Sequence, residues 1–343
     1  MILTIILLIV GFILLVKGAD WFVDGASGIA SKLKVPSMFI GLTVVACGTS
    51  LPETVVSLIS SAQGANEMAI SNATGSNFFN IFVIAAICAI IHPLKLDRST
   101  LRRDFPVSIF SLILVAFLSC DMYIFHKGDN VLGTIDGIIL LLVFIGYLTL
   151  TILEAKKERK GRLDDPFDEE LIFASNTSEN LKALFGSKEK YGHLTPKTGW
   201  TILLTIIGAA AIAGGGELVV TEATALANYF GLSQTLIGLT IASIGTSLPE
   251  LVTSIAAVRK GEVDLALGNC IGSNIFNALF VLGIASTVSA VSITATNLID
   301  IAILTAASII CWIVCLIFKK LNRATGIIMV AFYAAYFAYI IIR

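Results

Sequence analysis

Two short polar motifs each occur twice in this chain, and their residue types suit one kind of chemistry. The hexapeptide GTSLPE stands at Gly48–Glu53 and again at Gly245–Glu250; a second motif reads GSNFFN at Gly75–Asn80 and GSNIFN at Gly272–Asn277. Pro52 and Pro249 lack an amide hydrogen and clash with the preceding turn, so each is expected to break its helix and free carbonyls near Gly48 and Gly245. Glu53 and Glu250 supply charge, and Thr49, Ser50, Thr246 and Ser247 put hydroxyls within one turn of them. Ser76 and Asn80 are four apart, as are Ser273 and Asn277, so each pair shares a helical face. Every one of these groups offers oxygen. Such a set selects a hard cation, since softer metals prefer nitrogen and sulfur. Ca²⁺ takes about 6–8 oxygens in flexible geometry, a number that two bidentate carboxylates reach with carbonyls or waters. Mg²⁺, small and slow to shed water, fits a carbonyl-rich cage less well.

The segments that carry these motifs are apolar. Of 343 residues, 56% are hydrophobic and 14% charged, with a mean hydropathy of +0.91. A soluble domain is about a quarter charged, so this chain lacks the polar groups to cover a water-facing surface. Runs of spanning length, roughly 17–25 residues, lie near 2–19, 36–62, 68–91, 105–121, 131–153, 200–219, 235–258, 265–290, 298–318 and 324–342. The expected fold is an all-α polytopic membrane protein of about ten transmembrane helices. In that setting a carboxylate at the bilayer centre costs at least ~2.5–3.5 kcal/mol on insertion scales, and two of them have no use as packing groups. Opened backbone at membrane depth is tolerated only when buried in protein or lining a wet cavity.

Several other features are bland. Met1–Val16 is apolar without a positively charged leader region, and reads as a first transmembrane helix rather than a signal peptide. Cys47, Cys88, Cys120, Cys270, Cys311 and Cys315 fall mostly in apolar segments without CxxC spacing, as small packing residues do. His92, His126 and His193 lie outside the spans, which argues against a buried zinc site and against histidine-based catalysis. The chain is not expected to be an enzyme or to carry a cofactor, and nothing in it suggests nucleic-acid binding.

The two motif pairs belong to one long repeat. At an offset of 197, roughly 19 of 43 positions match between 41–83 and 238–280, among them Asn72 with Asn269 and Gly64 with Gly261. The polar segment 154–197, with KKERKGR followed by DDPFDEE, divides the chain into a first five-span half (1–153) and a second (198–343). Five is odd, so the second copy must cross in the opposite sense. That makes two inverted-topology repeats, an architecture that sets its substrate site near the midplane on interrupted helices. Positive charge agrees. With the N-terminus outside, the inward loops hold Lys32, Lys34, Lys95, Arg98, Arg102, Arg103, the whole 154–197 loop, Arg259, Lys260, Lys319, Lys320 and Arg323, leaving Lys127 and Arg343 on the outer side. Both termini are then external, and the sequon at Asn176–Ser178 faces the cytoplasm. Asp20 aligns with Glu217, and Glu67 with Asp264; helix anchoring is the simpler reading of each, and a solvated charge cluster that of 164–170.

Charge chemistry alone leaves three transport readings: exchange of Na⁺ for Ca²⁺, exchange of H⁺ for Ca²⁺ with the same glutamates as protonation sites, and a channel with paired carboxylates as its filter. The duplicated GTSLPE and GSN motifs narrow them, because together they resemble the two α-repeats of the sodium/calcium exchanger family, over both halves and with only the central loop left out. The resemblance implies that Glu53 and Glu250 are central ligands shared by Ca²⁺ and Na⁺. It implies that Thr49 and Thr246 add oxygens to both ions, and that Ser76, Ser273 and the carbonyls of Ala46 and Ser243 complete flanking Na⁺ sites. Asn80 and Asn277 match positions lining the middle of the cluster. Some members, potassium-dependent ones included, carry aspartate where Asn277 stands, which argues here against potassium dependence. Proton-coupled relatives usually show a GNxxE-type motif in place of GTSLPE. The segment 154–197 is too short for a regulatory domain of about 100 residues. The expected setting is the plasma membrane, in lipid, with Ca²⁺ and Na⁺ as transported ions.

Overall fold

Long runs of Leu, Ile, Val and Ala leave the backbone no partner in hydrocarbon but itself, and their described parts are helical. The computed structural model describes residues 2–33, 35–62, 66–120, 130–163, 198–229 and 243–342. In chain order the helices are α1 (Ile2–Leu33), α2 (Ser37–Thr49), α3 (Leu51–Ala62), α4 (66–91), α5 (100–118), α6 (Thr134–Leu163), α7 (Thr198–Tyr229), α8 (Ser243–Thr246), α9 (Leu248–Arg259), α10 (Val263–Val288), α11 (Ala295–Phe318) and α12 (Arg323–Ile342). Among the described residues seven helices are long and apolar enough to cross a membrane, or eight if the bent pair α2–α3 is one span. The chain is an all-α polytopic membrane protein.

Several helices outrun their apolar cores. α1 continues past residue 19 to Leu33, with no proline before Pro36 to stop it, and α6 runs on to Leu163, into the segment read from sequence as loop. Glu, Ala, Lys and Arg in that stretch are good helix formers, so the helix leaves hydrocarbon without ending. The expected polar cluster at 164–170 and the sequon lie outside the described residues.

Two helices make the core. In α4 and α10, 78% of the apolar window is buried, against 17–33% in α1, α6, α7, α11 and α12. The outer helices instead expose residues such as Ile9, Leu142, Ile206, Ile317 and Ile328, as lipid-facing helices do. α1 and α7 run antiparallel in backbone contact: Gly11 lies over Gly215, Gly18 over Gly208, and Gly25 over Thr201–Thr205. A Cβ on Gly25 would stand 2.6 Å from the Thr205 amide nitrogen, so glycine is the residue that fits.

Two small strand pairs tie the halves at opposite ends. β1 (Leu94–Lys95) pairs with β4 (Lys320–Leu321), and β2 (Val131–Leu132) with β3 (Val291–Ser292), all antiparallel. β1 and β3 are counterparts at the offset of 197, so each half lends the other an equivalent edge. The β1–β4 end carries Lys95, Lys319, Lys320 and Arg323, whereas the β2–β3 strands carry no basic residue.

Candidate cation-binding site

Each GTSLPE motif opens its helix, in the turn before the proline. α2 and α3 diverge by 46° across Ser50. Ser50 (φ −87°, ψ 14°) and Ser247 (φ −91°, ψ 5°) take the same non-helical conformation. Pro52 and Pro249 follow as the second residue of α3 and α9, where a missing amide hydrogen costs no intrahelical bond. The proline therefore starts the new helix, and the serine before it is the hinge. The backbone bonds at the two hinges differ. Ser50 N donates to Ala46 O at 3.0 Å, whereas Ser247 N donates to Ile244 O at 3.1 Å.

The hinge serines cross over. Ser50 Oγ donates to Glu250 Oε1 at 2.7 Å, and Ser247 Oγ donates to Glu53 Oε1 at 3.2 Å and reaches Ser76 Oγ at 3.1 Å. Each half thus holds the carboxylate of the other. Glu53 and Glu250 are 0% and 1% exposed, and Oε2 of each has no protein partner. Among the described residues, ion pairs join Arg103 to Asp104 and Glu154, and Lys260 to Asp20 and Asp24. None of them reaches either glutamate.

The core helices add buried asparagines. α4 widens into a π turn at Asn80–Ala85 and α10 at Phe276–Val281, a distortion frequent at functional sites. Asn80 and Asn277 lie buried at these openings, each with Oδ1 unpartnered. One turn before them, Ser76 and Ser273 are buried, and Ser273 Oγ also has no partner. The hydroxyl of Thr49 has three acceptors in reach: Val45 O at 3.1 Å, Ala46 O at 3.4 Å and Asn269 Oδ1 at 3.0 Å. Thr246 Oγ1 makes the counterpart contact to Asn72 Oδ1 at 3.4 Å. Ser243 begins α8, and its side chain lies outside the described residues.

The sum is a buried group of acceptor oxygens without donors. Glu53 Oε2, Glu250 Oε2, Asn80 Oδ1 and Asn277 Oδ1 come in two equivalent pairs. A buried polar atom left unmatched costs about 1–3 kcal/mol, more when charged, and four acceptors together are matched best by a cation. Two carboxylates and a surround of neutral oxygens suit Ca²⁺ or Na⁺. Among the described residues no three His, Cys, Asp or Glu come together.

Other acids stay outside the centre. Asp20 takes the Lys260 ammonium on its carbonyl at 2.7 Å, Glu217 and Asp264 are exposed, and the Glu67 side chain lies outside the described residues. Sequence reasoning gave no role to Asn72, Asn77, Asn269 and Asn274. Asn72 Nδ2 donates to Glu53 O at 3.3 Å and Ser57 Oγ at 3.1 Å; Asn269 Nδ2 donates to Glu250 O at 3.3 Å and Ser254 Oγ at 2.9 Å. Their identity at the offset of 197 was the available signal.

Comparison with known proteins identifies the family. The family model for the sodium/calcium exchanger protein matches residues 3–153 and 200–342. Sodium/calcium exchanger MaX1 of Methanosarcina acetivorans is 31% identical over 351 residues, covering 96% of each chain. Inner membrane protein YrbG of Escherichia coli K12 is 38% identical over 289 residues, 84% of this chain and 81% of its own. Among solved structures, the sodium-calcium exchanger NCX_Mj superposes with a TM-score of 0.79 at 30% identity, covering 99% of both chains. With both halves matched and only the central segment left out, the chain belongs to the sodium/calcium exchanger family, as a cation/calcium antiporter rather than an enzyme.

Proposed function

We propose that this chain exchanges Na⁺ for Ca²⁺ by alternating access, with both ions using one centre between the two halves. The observation that carries the reading is the set of four buried, unpartnered acceptor oxygens on Glu53, Glu250, Asn80 and Asn277. Ca²⁺ is held by Glu53 and Glu250 with oxygens of Thr49 and Thr246. Na⁺ uses the same carboxylates with Ala46, Thr49, Ser76, Asn80, Ser243, Thr246, Ser273 and Asn277. With both glutamates ionised, the empty centre carries about two negative charges and resists occlusion in low dielectric. One Ca²⁺, or several Na⁺ helped by the neutral oxygens, removes that obstacle. The two loads compete for the same carboxylates, so binding one expels the other.

The architecture we propose is ten membrane helices in two inverted repeats of five, 1–153 and 198–343, joined by a cytoplasmic segment 154–197. The antiparallel run of α1 against α7, which are counterparts in the repeat, supports inversion, and the basic β1–β4 end supports a cytoplasmic assignment for that face. Both termini are then external, the centre sits near the midplane, and the plasma membrane is the setting.

The test is ⁴⁵Ca²⁺ uptake by the purified full chain in sealed liposomes loaded with Na⁺ and diluted into K⁺, beside a pH gradient without Na⁺. Uptake driven by outward Na⁺ is expected. Uptake driven by the pH gradient alone would replace Na⁺ with protons at the same glutamates. Downhill Ca²⁺ flux needing neither gradient would make the pathway a channel.

A further inference from the structure

An asparagine can be a cation ligand or a cation repellent, depending on which end of its amide faces the ion. Asn80 and Asn277 present oxygen, and the structure contains what holds them that way. Asn80 Nδ2 donates to Asn274 Oδ1 at 3.0 Å, and Asn277 Nδ2 donates to Asn77 Oδ1 at 3.2 Å. Asn274 Nδ2 in turn donates to the backbone oxygen of Asn77 at 3.5 Å, and Asn77 Nδ2 to the backbone oxygen of Asn274 at 3.2 Å. All four residues are buried, at 1% exposure or less.

The polarity of each relay has one self-consistent direction. A backbone carbonyl only accepts, so the amide facing it must point nitrogen toward it and oxygen away. That oxygen only accepts, so the next amide must again approach with nitrogen. Reversing Asn80 would set two oxygens against each other at 3.0 Å and put an N–H where its unpartnered Oδ1 now stands. We infer that Asn77 and Asn274 are positioning residues, each fixing across the repeat interface the amide orientation of the asparagine that faces the cation: Asn77 for Asn277, and Asn274 for Asn80. This inference rests on the proposed cation centre at Glu53 and Glu250. The wiring is specific, because truncating Asn77 removes the acceptor of Asn277 but keeps the backbone carbonyl that orients Asn274 and, through it, Asn80.

Na⁺ competition against equilibrium ⁴⁵Ca²⁺ binding to the purified full chain, normalised to the number of sites, gives a Kd for Na⁺, the ion assigned to Asn80 and Asn277, and reads orientation separately from yield. Asn77→Ala is expected to raise Kd about tenfold, and the double variant Asn77→Ala/Asn277→Ala to bind no worse than Asn277→Ala alone, since the first residue acts only through the second. Paired with Asn80→Ala instead, Asn77→Ala should multiply its effect. Asn274→Ala gives the mirror cycle, coupled to Asn80 and independent of Asn277, and serves where an Asn77 variant does not fold. Multiplicative losses in every pairing, or an unchanged Kd in both Asn77→Ala and Asn274→Ala, overturn the positioning role. Wild-type binding by Glu53→Gln in the same assay would instead overturn the centre itself.

Discussion

The middle of this molecule is symmetric and its flank is not. In the core, bonds related by the repeat nearly match: 3.3 and 3.3 Å from Asn72 and Asn269 to the glutamate carbonyls, 3.0 and 3.2 Å from Asn80 and Asn277 to the opposite asparagine. At the flank, α1 packs along α9, while their counterparts α7 and α3 make at most sparse contact. Lys260, at the end of α9, reaches Asp24 Oδ1 at 2.8 Å and the Asp20 carbonyl at 2.7 Å on α1. The counterpart positions hold Gln63, Thr221 and Glu217, with no cation to match. A centre that must offer the same ligands to both sides of a membrane gains from symmetry. Under the proposed alternating access, a wall that opens on one side at a time is asymmetric in any single state, because inverted repeats exchange roles as they move.

The sharpest way to break the comparison is at the carboxylates. Glu53→Gln and Glu250→Gln should each weaken Ca²⁺ binding by about two orders of magnitude or more, as the loss of one member of a buried charge group costs about 3–5 kcal/mol. Binding assays on the two variants should agree closely; one variant binding like the wild type would mean that the centre is not shared. A flank variant should behave in the opposite manner. Gly25→Leu forces a side chain against the Thr205 backbone, and overpacking of that kind costs about 1–3 kcal/mol. A lower Tm with an unchanged Ca²⁺ Kd is expected, and a Kd shift would mean that flank and centre are not separable.

The hinge serines come next in size. Ser50→Ala and Ser247→Ala each delete a hydroxyl donated to the opposite glutamate, a bond to a charged group worth about 1.5 kcal/mol, or about tenfold in Kd. Ser247 also touches Ser76, which Ser50 does not match with Ser273, so Ser247→Ala is expected to disturb Na⁺ competition more than Ser50→Ala. Equal effects on both ions would show the centre to be more symmetric than its hydroxyl bonds.

What could be read from the sequence follows the same division. The doubled carboxylate and the doubled Ser–Asn pairs were legible because one-dimensional spacing already puts them on shared faces, and the apolar spans because length and hydropathy decide them. The break was legible as well: it falls on Ser50 and Ser247, in the turn before Pro52 and Pro249 that each proline was expected to disrupt, although the use of each proline to begin the next helix was not foreseen. The crossing of Ser50 to Glu250 and the relays through Asn77 and Asn274 were not legible. They depend on how two helices from different halves face each other, a relation that spacing within either half does not contain. The Lys260 contact was missed for a plainer reason: it has no copy, so the repeat offered no signal.

That lone contact carries the smallest prediction and the most direct test of the asymmetry. Exposed ion pairs contribute about 0–1 kcal/mol, so the Lys260 contact biases a two-state wall by at most about fivefold. It holds α1 against α9 at the end proposed to face the cytoplasm, and therefore favours the state closed on that side. Lys260→Gln should then shift the population toward opening inward. Apparent Ca²⁺ affinity measured from the inner face should improve and that from the outer face should fall, each by fivefold or less, roughly, and both differences should shrink as salt screens the pair in the wild type. Installing Gln63→Lys with Thr221→Asp, the counterpart positions of Lys260 and Asp24, should favour closure on the opposite, outer side and so move both affinities the same way as Lys260→Gln. Shifts of the same sign on both faces would mean that Lys260 acts on the centre or on folding, and the asymmetry of the flank would then have no part in which side is open.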